Sequence, residues 1–99
     1  DVCASLWARG TRLSAALGRA IARAGVPGVR VDGIPPMLLL RWDDADAERR
    51  FVQAAARHGA LLKRGAYDFA SLAHDDAALA TVERAAAAAL ADLAAERAR

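Results

Sequence analysis

The 99-residue chain is short of nearly everything from which reactive sites are built. It has one cysteine, one lysine, two histidines and no asparagine, and aromatics make up only 5% of it. A lone Cys3 excludes an intrachain disulfide and a cysteine-based metal site, so a cytoplasmic setting is expected and Cys3 reads as a small apolar residue opening a helix. No long apolar run exists: Ile34–Leu40 contains Pro35 and Pro36 and is far too short to cross a bilayer. His58 and His74 stand in no HxxxH or HxxE spacing, and no metal role is assigned to either. Phosphate-binding loops, GxGxxG and GxSxG are missing as well.

Excess charge is also scarce. The formal net charge is +2, and the pI near 9.3 reflects bases that are all arginine apart from Lys63. The arginines are scattered and interleaved with Asp or Ala rather than clustered beside aromatics that would stack on bases, which speaks against nucleic acid. The length allows one domain with one core, spanning residues 1–99. A start at Asp1, without Met or a signal-peptide pattern, leads us to expect a piece of a longer chain.

What the chain does have is periodic. Leu6, Gly10, Leu13, Leu17, Ile21 and Ala24 recur at three- and four-residue steps and predict a helix over 4–24. Arg9, Arg12, Arg19 and Arg23 fall off that stripe, and Trp7 is expected at the edge of the core. Gly25 and Pro27 stop the helix. Val29–Asp32 alternates as a half-buried strand does, Gly33–Pro36 interrupts it, and Met37–Trp42 resumes as a strand apolar on both faces. Such a strand needs cover on both sides, and the second cover is expected from a partner outside so small a domain.

Asp43, Asp44 and Asp46 then supply caps for a second helix carrying Phe51, Val52 and Ala55, with Ala47 and Ala56 secondary, and ending at His58–Gly59. Strands are predicted over 60–64 and from Tyr67 to His74. Asp75 or Asp76 caps a last helix with a Leu79, Val82, Ala86, Leu90, Leu93 stripe and a fraying tail from Glu96 to Arg99. The predicted class is α+β in the order α-β-β-α-β-β-α: a two-layer small domain, helices on one face of a small, mainly antiparallel sheet.

Three constellations could carry chemistry. The acidic trio Asp43, Asp44 and Asp46 lacks the glycine and terminal glutamate of a calcium loop and reads as capping. Ser71, His74 and Asp75 evoke a hydrolase triad, but on a strand i and i+3 point to opposite faces. Lys63 would need a desolvated pocket to serve as a Schiff-base nucleophile, yet it stands beside Arg64 at a predicted strand end.

The hairpin Val31–Met37 and the stretch His58–Asp76 together carry a resemblance. Val31-Asp32-Gly33-Ile34-Pro35-Pro36-Met37 is similar to a "VxGxxxM" hairpin, His58-Gly59-Ala60-Leu61-Leu62-Lys63-Arg64-Gly65-Ala66-Tyr67 to "LxxxGxxLxxRGxY", and Ser71-Leu72-Ala73-His74-Asp75 to "SLAHT". In that order they resemble the C-terminal segment of class III (fold type I) pyridoxal-phosphate aminotransferases, glutamate-1-semialdehyde aminomutase-like branch, over nearly the whole chain. The resemblance implies a C-terminal small domain that covers the active site and packs on a large domain. Pyridoxal 5'-phosphate, the Schiff-base lysine and the catalytic residues would then belong to the large domain, leaving no catalytic, cofactor-binding or metal residue here. It also implies a homodimer at full length. The aminomutases' "LAPSQFEAGF"-like insertion is missing, since only Asp68-Phe69-Ala70 separates Tyr67 from Ser71. That directs the expectation to another small amino-acid, keto-acid or amino-sugar-like substrate, with Tyr67 and Asp68 reaching the cleft. The other readings are a stand-alone α+β interaction or regulatory module and, more distantly, a hydrolase using Ser71 or His74.

Overall fold

The structure, a computed structural model, describes residues 2–60 and 75–97. Helix α1 spans Val2–Ala24, strand β1 Val29–Asp32, a 3-10 turn η1 Pro35–Met37, strand β2 Leu39–Trp42, helix α2 Ala45–Arg57 and helix α3 Asp76–Arg97. The protein is a small α+β domain with three helices and a two-stranded antiparallel sheet among the described residues. Both further strands predicted after Gly59 fall almost wholly on residues 61–74, outside the described residues; Ala60 itself is buried and not in a strand.

Each helix boundary has a local cause. The Gly25 N–H donates to Ile21 O (2.9 Å) with Gly25 at φ +68°, closing α1 where Pro27 forbids its resumption. At the end of α2, Ala60 N–H donates to Ala55 O and Gly59 N–H to Ala56 O, with Gly59 at φ +99°. This pair of bonds is a Schellman motif, and it needs a residue without Cβ at Gly59. Asp44 accepts from Asp46 N–H (3.0 Å) at the start of α2, and Asp75 accepts from Ala78 N–H (2.7 Å) at the start of α3. Asp44→Ala should cost about 0.5–2 kcal/mol of stability, read as a lower urea midpoint at unchanged slope.

The hairpin's register makes its two faces different. Val29 pairs with Trp42 and Val31 with Leu40, and these four pack on the core. Arg30 opposite Arg41 and Asp32 opposite Leu39 form the outer face. Two directly opposed arginines repel, and nearby carboxylates offset this: Arg41 Nε lies 2.6 Å from Asp32 Oδ2 and Arg30 3.5 Å from Asp43 Oδ1. The Arg41 guanidinium, with the Gly33 N–H, holds the Asp32 carboxyl below the usual carboxylate range.

Helix α3 is the centre of the helical layer and packs against both α1 and α2. Arg12 meets Glu83, and Ala24 lines the same hollow as Ala91, so α1 runs parallel to α3. Arg50 meets Glu96 and His58 meets Asp92, so α2 runs antiparallel to it. The core joins Leu13 and Leu17 of α1, Leu38 and Leu40 of the hairpin segment, Phe51 and Ala54 of α2, and Leu79, Ala86, Leu90 and Leu93 of α3.

Four expectations need correction. Strand β2 starts at Leu39 rather than Met37, because the fixed φ of Pro35 and Pro36 suits a 3-10 turn and holds Met37 within it. Leu39, on the outer face, is only 7% exposed within the chain itself, so no outside partner is needed to cover it; Gly33 is one neighbour. Trp7 is 48% exposed and not a core-edge residue. Glu96 does not belong to a fraying tail, since it is helical and paired with Arg50 at 3.1 Å. No helix is long and apolar enough to cross a membrane among the described residues.

Candidate functional site

The two residues expected to reach a substrate cleft, Tyr67 and Asp68, lie outside the described residues, as do Lys63, Ser71 and His74. His58 is the C-cap of α2 and reaches α3, its Nε2 2.9 Å from Asp92 Oδ2, while Arg57 approaches the same oxygen at 3.6 Å. These contacts clasp α2 to α3 at one end of the interface, and Arg50–Glu96 clasps the other. Among the described residues no group of three or more His, Cys, Asp and Glu is placed to hold a metal.

The acidic trio is engaged in local structure. Asp44 caps α2, Asp46 accepts from Arg49 at 2.6 Å and pairs with Arg50 Nε at 3.1 Å, and Asp43 faces Arg30. The Arg50 Nε contact is an ion pair without hydrogen-bond alignment. The Arg49 guanidinium keeps the Asp46 carboxyl below its ordinary range. Beside the trio is a cavity of about 420 Å³ with Val26, Pro27, Ala47 and Leu93 on its walls and Asp43, Asp44, Arg50 and Arg97 at its charged margin. Its charges are balanced, and Arg50 is held by Asp46 and Glu96, so the cavity offers no net preference for an anion or a cation.

More distinctive is an apolar surface that periodicity did not predict. Trp7, Ile34 and Met37 are 48%, 53% and 54% exposed and are the large apolar side chains left open among the described residues. All three belong to segments that meet where α1 crosses η1. Gly10, one turn after Trp7, is buried against the backbone of Pro35, and Ile34 and Met37 flank the proline pair. Ile34 and Met37 gave no signal in the sequence, because the turn that exposes them follows from Pro35 and Pro36 and not from the alternation of a strand.

No family model, no curated protein and no solved structure matches this chain.

The cofactor implied by the resemblance can be tested against these residues. A phosphate-bearing aldehyde calls for a lysine amine to hold it and for donors around its phosphate. The described residues contain no lysine, and the cavity at the start of α2, with Asp43 and Asp44 balanced by Arg50 and Arg97, offers no net positive charge for a phosphate. The described residues do not fit pyridoxal phosphate.

Proposed function

We propose that this chain is the C-terminal small domain of a class III pyridoxal-phosphate aminotransferase or aminomutase, close to the glutamate-1-semialdehyde aminomutase branch. The reading rests on the colinear hairpin, RGxY-like and SLAHT-like motifs. The exposed surface of Trp7, Ile34 and Met37 supports it, since a companion large domain would cover such a surface. In this reading the domain closes over an active site carried by the large domain, shapes access for a small amino-acid, keto-acid or amino-sugar-like substrate, and excludes water from the reacting centre. Pyridoxal phosphate would be held by the large domain and would there supply an electron sink for chemistry at the substrate's α-carbon. Tyr67 and Asp68 contribute to the cleft, the full-length enzyme is a cytoplasmic homodimer, and this domain is inactive alone.

A stand-alone α+β interaction or regulatory module is the second reading. It is favoured by Leu39, whose burial within the chain removes the need for an outside cover on the sheet. The experiment that separates the two is expression of the full open reading frame and of the 99-residue chain side by side. The full-length protein should be yellow and retain pyridoxal phosphate through gel filtration, and the 99-residue chain should take up none. A reading frame that opens just before Asp1, a colourless full-length protein, or a stable cofactor complex of the short chain would each overturn the first reading.

A further inference from the structure

We propose that the open groove between α1 and α3 docks an acidic amphipathic helix of a partner protein. The observation is an asymmetry in how arginines are paired. On the hairpin and α2, Arg30, Arg41, Arg49, Arg50 and Arg57 each lie within 4 Å of a carboxylate. On the open side of α1 and α3 this stops. Arg19 and Arg23 make no ion pair among the described residues, and Arg84 reaches only the Thr81 hydroxyl, at 3.5 Å. The single carboxylate there, Glu83, is already taken by Arg12 at 2.9 Å. Three cations thus rim one groove in which, among the described residues, the carboxylate present, Glu83, is engaged by Arg12.

The floor of the groove selects the shape of the occupant. Two adjoining hollows of about 210 and 150 Å³ share Ala20, Arg23 and Ala87, and Ala91 extends them along α3. Because α1 and α3 run parallel, methyl groups line a straight channel between them. Alanine floors let a third helix approach to about 8 Å between axes, whereas longer side chains would hold it away. An extended peptide would gain little, because helix walls offer no open backbone groups to pair with. Among the described residues the groove has no aromatic on which a nucleic-acid base could stack. Arg19 and Arg23 stand one helical turn apart, the spacing at which a facing helix presents successive Asp or Glu side chains.

The test uses a fluorescently labelled, end-capped helical peptide with an Ala/Leu seam flanked by Glu, a scrambled peptide of equal composition, and a random-sequence DNA duplex. Anisotropy is read against the unmodified protein and the variants R19E/R23E, R84E and A87W. The helical peptide should bind, and R19E/R23E and R84E should each weaken it by about tenfold. A87W, which keeps every charge and fills the groove, should weaken it by about tenfold as well. The scrambled peptide and the duplex should bind correspondingly less tightly. Arg19, Arg84 and Ala87 are exposed, and thermal melts by circular dichroism establish that each variant folds; if one does not, the remaining variants decide. Absence of binding, equal affinity for the scramble or the duplex, or an A87W variant that binds as before would overturn the proposal. The last two would reduce the groove to unspecific attraction for negative charge.

Discussion

Phe51→Ala should lower the thermal midpoint by roughly 12–40 °C. Phe51 is 2% exposed, and its ring lies 5.2 Å from that of Trp42 at 42°, joining α2 to the inner face of the hairpin. Truncation removes this tilted aromatic contact and leaves a cavity beside Trp42, in a core that also holds Leu40 and Leu90. The cost is about 3–5 kcal/mol. Domains of this size are stable by only about 5–15 kcal/mol, so the loss is a large share of the total. Val52→Ala is the control. Val52 is only partly buried, and its truncation should cost on the order of 1 kcal/mol. Circular-dichroism melts of both variants settle the matter, and similar midpoints for the two would contradict the core described here.

The helices were legible because their signals are local. The α1 and α3 stripes, the stop at Gly25 and Pro27, and the Asp44 cap all lie within a turn or two of the residues they control. Burial of Ala54, Ala85 and Ala89 was harder to foresee, because alanine carries too little apolar area to mark which side of a helix is covered. The start of β2 is not legible in the pattern, because Met37 continues the apolar run of Leu38–Leu40 while the preceding prolines set the backbone. The expectation of an outside cover failed at Leu39 because strand periodicity says that a face is apolar and nothing about how the rest of the chain folds over it.

Charge was the least legible part. Arg50 finds Glu96, His58 finds Asp92 and Arg12 finds Glu83 across long stretches of sequence, so an evenly scattered set of arginines hid which were satisfied and which were not. The cleft residues expected from the resemblance, Tyr67 and Asp68, fall outside the described residues. The surfaces that carry the functional argument, around Trp7 and around Arg19 and Arg84, are properties of tertiary placement that no motif announced.

Gly10→Ala should destabilise the domain even though alanine is the better helix former. In α1 the substitution gains about 1 kcal/mol of helix propensity. Against this, a Cβ built on Gly10 would overlap the Pro35 carbonyl and lie 2.8 Å from Pro35 Cα. Those atoms are backbone, held by a proline pair, and cannot swing aside as the end of a side chain would. Either α1 moves off η1, opening the contact behind Trp7 and Leu13, or the turn itself distorts. Overpacking of this severity outweighs the propensity gain, for a net loss of about 2–4 kcal/mol and a midpoint lower by roughly 8–30 °C. Gly18 provides the comparison within the same helix. It is exposed, a Cβ there meets nothing within 4 Å, and Gly18→Ala should stabilise by about 0.5–1 kcal/mol. The two substitutions are chemically identical and should have opposite signs. If both stabilise, α1 does not lie against Pro35, and the apolar surface assembled at that crossing does not exist.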